Sequence, residues 1–496
     1  MFLLLLFPLP FRAVLGVSRR DRRPSRGRPD GLRGPVRRIG HGELVKFEFL
    51  CVDSTTMNST APPGHCHCHR VPWTHSSRRY RVHRVQCGPV DATADSPSRP
   101  QSPPSTTAYR QLVASAAGPS FEAVAKVVSG LSLGDLIDSM GADEVVVRVA
   151  FAGVNGGCET FRCRAEHAFA RNKTLTDFSL GAEGVGTVVA VGHSAEDDTD
   201  KGSGVVVGSP VMFVGGAFSE FVKVKRASVT PVPVASAEYA VGAHRNIRSQ
   251  EPERVLTPLH NTRSHDRQAL RISGHVAYSA LTYKVELNRG DVVLVTAGAG
   301  ATGSFAVQVA KRRGCHVLAT CRNAAKAEVL RGLGADRVID YSVESVREVF
   351  EREYKGRVDV CYEGVGGAML EDVWQVALKD DGKVLSVGYI SQYPHNEVPV
   401  SAAAGRSNEA LDLPPSQDVF WKAMTLERGG KTLIGNVWPD DAGDRQRALE
   451  EVVALVAAGE LTCVVDSRRF VGVESAADAV SYMLSGSAIG KVVVEM

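Results

Sequence analysis

The stretch Val292-Val-Leu-Val-Thr-Ala-Gly-Ala-Gly-Ala-Thr-Gly303 places Gly298, Gly300 and Gly303 in G-x-G-x-x-G spacing, with Ala301 and Thr302 in the same turn. Small residues at that spacing suit the binding of a pyrophosphate. The chain must turn sharply, bring its backbone up to the anion, and start a helix whose first N–H groups lack partners. The spacing alone is weak evidence; an apolar strand before it and a helix after it make it strong. Further on, the next strand ends Thr320-Cys-Arg-Asn323, followed by Lys326. A carboxylate there would take the ribose 2′-hydroxyl of NAD, and none is present. Arg322 and Lys326 read either as ordinary surface cations or as partners of a 2′-phosphate. The first turn of a helix disfavours cations, so the second reading, with NADPH as cofactor, is preferred.

The elements that must position these residues alternate. Strands are predicted at Val292–Thr296, His316–Thr320, Val338–Ile339, Val358–Tyr362 and Lys383–Val387, with helices at Ser304–Lys311, Ala325–Gly332 and Val343–Glu353. Such βαβα alternation with short connections implies a parallel sheet covered on both faces. Ahead of it, Glu144–Ala152 and Gly186–Val191 read as strands of a smaller β-rich module with Gly-rich turns. A helix at Arg445–Ala458 and a strand at Lys491–Glu495 close the chain, the strand returning to the first module. The fold class is therefore α/β, a β-rich domain plus a doubly wound parallel sheet.

The near-neutral total of +3 over 496 residues conceals two unlike parts. Residues 1–107 carry 17 Lys and Arg against 7 Asp and Glu; residues 108–496 carry 41 against 48. An acidic body has no general reason to bind nucleic acid, whose recognition rests on neutralising phosphates. The leader is rich in Arg, Pro, Ser and Gly without periodicity. It reads as a disordered basic segment, with an organelle presequence or translated non-coding sequence as the alternatives. Residues 243–272 hold six arginines and interrupt the approach to the nucleotide module, as a lid, a disordered insert or a retained intron. The longest apolar run, Phe2–Phe11, is broken by Pro8 and Pro10 and is too short to span a membrane. The cluster His65-Cys-His-Cys-His69 lacks spaced partner ligands for a zinc tetrahedron. Ten cysteines are too few for a disulfide scaffold, which points to an intracellular protein, cytoplasmic first, with mitochondrial or plastid targeting by the leader as the alternative.

The chain from about Ala108 to Met496 resembles the zinc-independent medium-chain dehydrogenases/reductases. Within them it resembles the quinone-oxidoreductase-like enone reductases, the branch holding the 15-oxoprostaglandin 13-reductases. The matching stretches include Phe151-Ala-Gly-Val-Asn155, Gly181-Ala-Glu-Gly-Val-Gly186, Gly216-Ala-Phe-Ser-Glu-Phe221, Val358-Asp-Val-Cys-Tyr-Glu-Gly-Val-Gly-Gly367, Gly388-Tyr-Ile-Ser391 and Gly490-Lys-Val-Val-Val-Glu495. The resemblance implies a GroES-like domain at 108–242 plus 440–496 and a Rossmann domain at 273–439, with the active site in the cleft between them. It implies that Thr302 touches the pyrophosphate, that Arg322, Lys326 and Tyr341 hold the 2′-phosphate end, and that Gly364 and Ile390 flank the nicotinamide. Asn155 is implied beside the ring, and Val437, within Gly435-Asn-Val-Trp438, covers it. A homodimer is implied as well.

A catalytic zinc in this superfamily needs a Gly-His-Glu imidazole and two thiolates. Here Ala182 stands before Glu183, and Cys158 and Cys163 are the only cysteines of the first lobe of the body. No metal site is expected. Without a Lewis acid, reduction of a conjugated C=C by hydride transfer fits better than alcohol–ketone interconversion. The expected substrates are small α,β-unsaturated ketones and aldehydes, 15-oxoprostaglandin-like enones or quinones; the alternatives are a non-catalytic NADPH-binding protein and an enoyl-thioester reductase. Asn155 is the candidate oxyanion donor, with a plain turn-forming role as its alternative. Tyr389 and Tyr393 are candidate proton donors. Phe161 and His167, and Tyr278 in the departing motif Ser273-Gly-His-Val-Ala-Tyr278, are candidates for the substrate side. In that motif Val276 replaces the family's threonine hydroxyl, and Cys158 replaces an expected Asp.

Overall fold

The protein is described by a computed structural model covering residues 106–192, 205–232, 270–394 and 412–496. The expectations for residues 1–105, including the His65–His69 cluster, and for 243–269 of the Arg-rich stretch lie outside the described residues.

The first lobe contains strands β1 (Ala108–Ala114), β2 (Ala125–Ser132), β3 (Glu144–Gly153), β4 (Phe178–Ser179), β5 (Glu183–Val191), β6 (Pro210–Val214), β7 (Phe221–Lys225) and β8 (Val229–Pro231). The second contains β9 (Val292–Val295), β10 (His316–Cys321), β11 (Arg337–Asp340), β12 (Val358–Glu363), β13 (Leu378–Ser386), β14 (Thr425–Arg428) and β15 (Lys431–Ile434). Strands β16 (Phe470–Val471) and β17 (Val493–Glu495) return to the first lobe, where β17 pairs antiparallel with β3. The chain is thus an α/β protein with a β-rich lobe and a doubly wound one.

The second sheet has the order β11-β10-β9-β12-β13-β15-β14, parallel throughout except for the β14–β15 hairpin. Successive residues of its strands point to opposite faces, and both faces are apolar. Val293, Val295, Val317 and Ala319 face Phe305 and Val309 of the helix Ala301–Arg312, whereas Leu294, Leu318 and Cys361 face Phe350 and Leu370. This double burial is why β9 reads as an unbroken apolar run rather than an alternating one.

Local chemistry sets where the helices begin. Asn323 accepts the Lys326 N–H at 3.0 Å and caps Ala324–Gly332; Asp441 caps Ala442–Ala457 with N–H bonds from Gly443 and Asp444. The helix expected from Val343 begins only at Val346, because the Ser345 hydroxyl caps it and leaves Val343 in the preceding turn. The helix Ala442–Ala457, expected with the return to the first lobe, instead packs Leu449, Val452 and Val456 onto the core of the parallel sheet. It lies against the helix His275–Ser279. No helix among the described residues is long and apolar enough to cross a membrane.

Candidate functional site

A cavity of about 370 Å³ lies between the lobes, bordered by the carboxyl ends of β9, β10 and β12. In open parallel sheets this is where strand order reverses and ligands bind. Gly300, Ala301, Thr302 and Gly303 line it. The three glycines do different work. A Cβ on Gly303 would sit 2.6 Å from the Ala297 carbonyl and 2.8 Å from Gly298 Cα, so glycine lets the helix pack against the turn. A Cβ on Gly298 would press on Ala319 and Leu330, and Gly298 itself lies behind the lining. Gly300 meets only the Ala297 carbonyl at 3.2 Å, so its other side stays open for a ligand to approach the backbone.

Arg322, Lys326 and Tyr341 line one end of the cavity. The Arg322 guanidinium donates to the Ser485 carbonyl at 3.1 Å, and the Lys326 ammonium to the Gly486 carbonyl at 2.6 Å. Neither cation forms an ion pair among the described residues. Burial, and then the charge of Arg322, lowers the Lys326 pKa. Two cations stand together at this helix start, with Asp466 near enough to act on Lys326 but forming no ion pair with it.

Gly364, Ile390 and Val437 also line the cavity, and so does Val276. The remaining expectations divide. Asn155 and Tyr393 border the cavity; Tyr389, Phe161 and Tyr278 do not. Asn155 sits in a closed hydrogen-bonded ring: its amide N–H donates to Glu183 Oε1 at 2.8 Å, and its Oδ1 accepts from Lys491 Nζ at 2.7 Å. Lys491 also pairs with Glu183, both essentially without exposure. The amide expected as an oxyanion donor thus gives one N–H to a buried carboxylate, which it shares with Lys491 from the segment just ahead of the last strand.

Tyr389 likewise cannot present its hydroxyl, which accepts the Trp421 indole N–H at 2.6 Å behind the cavity wall. Burial pushes the phenols of Tyr389 and Tyr393 up. Phe161 is only 2% exposed and packs edge-on against Tyr393 at 5.2 Å between ring centroids, so it backs the wall instead of touching a ligand. Tyr278 packs beside Glu451 of the helix Ala442–Ala457, and burial first, then the Glu451 charge, raises its pKa. The side chains that do face the cavity on that side are Phe169, Met369, Phe420 and Trp421, with His167 stacked on Trp421 at 4.6 Å. Sequence reading named His167 but missed the other four, which come from three separate helices with no shared motif. It also missed Tyr362, which borders the cavity and whose buried hydroxyl has no hydrogen-bond partner among the described residues.

Burial pushes the Cys158 thiol up to about 12, which removes it as a thiolate. Ala182 offers no donor where an imidazole would be needed. Among the described residues no three His, Cys, Asp or Glu side chains are grouped so as to hold a metal ion.

Fold and site together define a two-lobed oxidoreductase whose cleft joins a glycine-rich turn to an aromatic wall. The chain belongs to the medium-chain dehydrogenase/reductase family, in its quinone-oxidoreductase-like branch. Residues 141–234 match the alcohol dehydrogenase GroES-like domain, and residues 333–494 match the zinc-binding dehydrogenase model. The chain is 34% identical to prostaglandin reductase-3 of Mus musculus over 362 residues, covering 72% of this chain and 82% of that one. It is 32% identical to a probable quinone oxidoreductase of Leishmania amazonensis, covering 71% and 88%. The fold is shared with the Escherichia coli quinone oxidoreductase complexed with NADPH, at TM-score 0.54 and 18% identity, covering 78% of this chain and 100% of that one.

Proposed function

We infer that this chain reduces the conjugated C=C of α,β-unsaturated ketones and aldehydes, or quinones, with NADPH and without zinc. The observation that carries the reading is the Arg322–Lys326 pair, two cations that form no ion pair among the described residues, in a cavity also lined by Phe169, Phe420 and Trp421. The glycine turn supports a pyrophosphate between these ends, the open side of Gly300 and the orphan hydroxyl of Tyr362 both favouring a bound polar ligand. The names of the relatives, prostaglandin reductase and quinone oxidoreductase, point the same way. The residues thus fit the cofactor: Gly300 and Thr302 would hold the pyrophosphate, Arg322, Lys326 and Tyr341 the 2′-phosphate, and Gly364, Ile390 and Val437 the nicotinamide. When bound, NADPH supplies a hydride to the β-carbon of the acceptor. The chain orients both partners and shields them from water, while the α-carbon takes its proton from solvent or from Tyr393. The donor set does not fit a catalytic zinc, since Ala182 stands where the imidazole would be needed and no three His, Cys, Asp or Glu side chains are grouped to hold a metal among the described residues.

This reading treats residues 273–439, together with the helix Ala442–Ala457, as the cofactor domain. It also includes a homodimer, for which β14 leaves a sheet edge without a partner among the described residues. The commitment of Asn155 to Glu183 favours a second reading, NADPH binding without turnover. One experiment separates them: NADPH oxidation by the purified chain with a 2-alkenal, a conjugated cyclic enone, a quinone and an enoyl-CoA. Turnover with enones or quinones supports the first reading. Measurable NADPH binding with no turnover on any acceptor leaves the second, and preference for the thioester selects an enoyl-thioester reductase.

A further inference from the structure

At the carboxyl end of β12 a fully buried carboxylate, Glu363, is surrounded by donors rather than by cations. Its Oε1 accepts the Val365 N–H at 2.8 Å and the Gly366 N–H at 3.0 Å, and its Oε2 accepts the Gly366 N–H at 3.1 Å. The Thr296 hydroxyl, at the end of β9, donates to it at 3.3 Å and itself accepts the Gly364 N–H at 2.9 Å. Successive backbone N–H groups turned inward form a concavity suited to an anion, and here the chain fills it with its own side chain. Gly366, at φ +75°, permits the turn, since a Cβ there would strike Tyr389 at 2.9 Å.

The same turn supports a second loop. Gly364 and Val365 carbonyls accept N–H bonds from Ile390 and Ser391 at 3.1 and 3.0 Å, and the Ser391 hydroxyl donates to the Val365 carbonyl at 2.6 Å. Thr296, Gly364, Val365 and Ile390 all line the cavity, whereas Glu363 does not. One carboxylate therefore lies beneath much of the wall that the nicotinamide would meet under the function proposed above, on which this inference rests.

We propose that Glu363 is a positioning residue whose carboxylate holds the Gly364–Gly366 turn, and through it the Ile390–Ser391 loop, in the shape that accepts a nicotinamide nucleotide. The groups facing it are the Thr296 hydroxyl from β9, the N–H groups of its own turn, its register partner Ser386 on β13, and the Cys361 thiol on its own strand, itself pushed up by burial and by the Glu363 charge. No ion pair reaches it among the described residues. Burial pushes its carboxyl up to about 7 against these hydrogen bonds, so the charged acceptor weakens as the medium turns mildly acidic.

The test is nucleotide affinity by fluorescence titration of the full chain from pH 5.5 to 8.5, with NADPH and NADH in parallel. NADH lacks the 2′-phosphate, whose own titration would otherwise be confused with the carboxyl's. Wild-type affinity for both nucleotides should fall as pH drops through about 7. Glu363→Gln should bind about tenfold more weakly at pH 8.5, having lost the charge-assisted bonds, and should show no step. Glu363→Asp keeps the charge and should move the midpoint of the step, which serves if the Gln variant fails to fold by circular dichroism. An unchanged step in E363Q, or an unmoved midpoint in E363D, overturns the assignment and leaves the cofactor reading intact. Failure of wild type to bind either nucleotide at any pH overturns both.

Discussion

The Lys326 ammonium in the second lobe donates to the carbonyl oxygen of Gly486 in the returning chain at 2.6 Å, while Arg322 holds the neighbouring carbonyl of Ser485. A left-handed Gly486, at φ +69°, lets the backbone approach so closely, because a Cβ there would sit 3.2 Å from the guanidinium nitrogens. The end of the cavity that holds these two cations is thus assembled from both lobes.

If the two cations read the 2′-phosphate, Arg322→Ala combined with Lys326→Ala should weaken NADPH by about a hundredfold, two charge-assisted contacts being lost, and NADH by less than about threefold. Dissociation constants for the two nucleotides check this. Equal weakening of both would remove the 2′-phosphate role.

Tyr389 and Tyr393 should separate cleanly. Tyr389→Phe leaves the Trp421 indole N–H without its acceptor and should lower unfolding stability by about 1–2 kcal/mol, with turnover changed little. Tyr393→Phe alters a residue bordering the cavity and should reduce turnover with an enone without a comparable loss of stability. Thermal melts and steady-state rates on the same preparations decide; a rate loss confined to Y389F would reverse the assignment.

The Lys491–Glu183 pair is buried on both sides, so removing one member should cost far more than removing both. Lys491→Met removes the ammonium from beside the buried Glu183 carboxylate and is expected to cost about 3–5 kcal/mol, whereas K491M with Glu183→Gln should recover more than half of that. Denaturant unfolding gives the values, and additive losses would show that the pair is not coupled.

Glu159 carries a pH signature. Burial raises its carboxyl to about 7 from 4.5, against Arg162 and the N–H bonds from Ala182 and Gly181. Between those values the folded chain keeps a proton that the unfolded chain has lost. Stability therefore falls as pH rises through this window, by up to about 3 kcal/mol from this group. Glu159→Gln cannot ionise, so it should lose less stability than wild type between pH 5 and pH 8; parallel losses would remove Glu159 from the account.

The glycine turn, the alternating strands and helices, and Arg322 with Lys326 were legible in the chain itself because each depends on neighbours within a turn or two. The strand β9 needs apolar residues on both faces, the turn needs small ones, and the cations stand one helical turn apart. Tyr389, Phe161 and Tyr278 have nothing in their local spacing to say which way they face. Tyr389 is turned away by Trp421, a residue 32 positions later.

Asn155 shows the limit most clearly. Its place in a glycine-rich loop beside the cleft follows from the motif, yet its hydrogen bonds are fixed by Lys491, 336 residues away. A half-buried amide takes the donors and acceptors the packed chain brings to it, because leaving its sheltered atoms unsatisfied is costly. Sequence by itself determined the α/β class, the phosphate-type turn and its two cations. Only the tertiary structure decided which side chains reach the cavity and which are bound behind it, since burial and pairing are properties of segments brought together from distant parts of the chain.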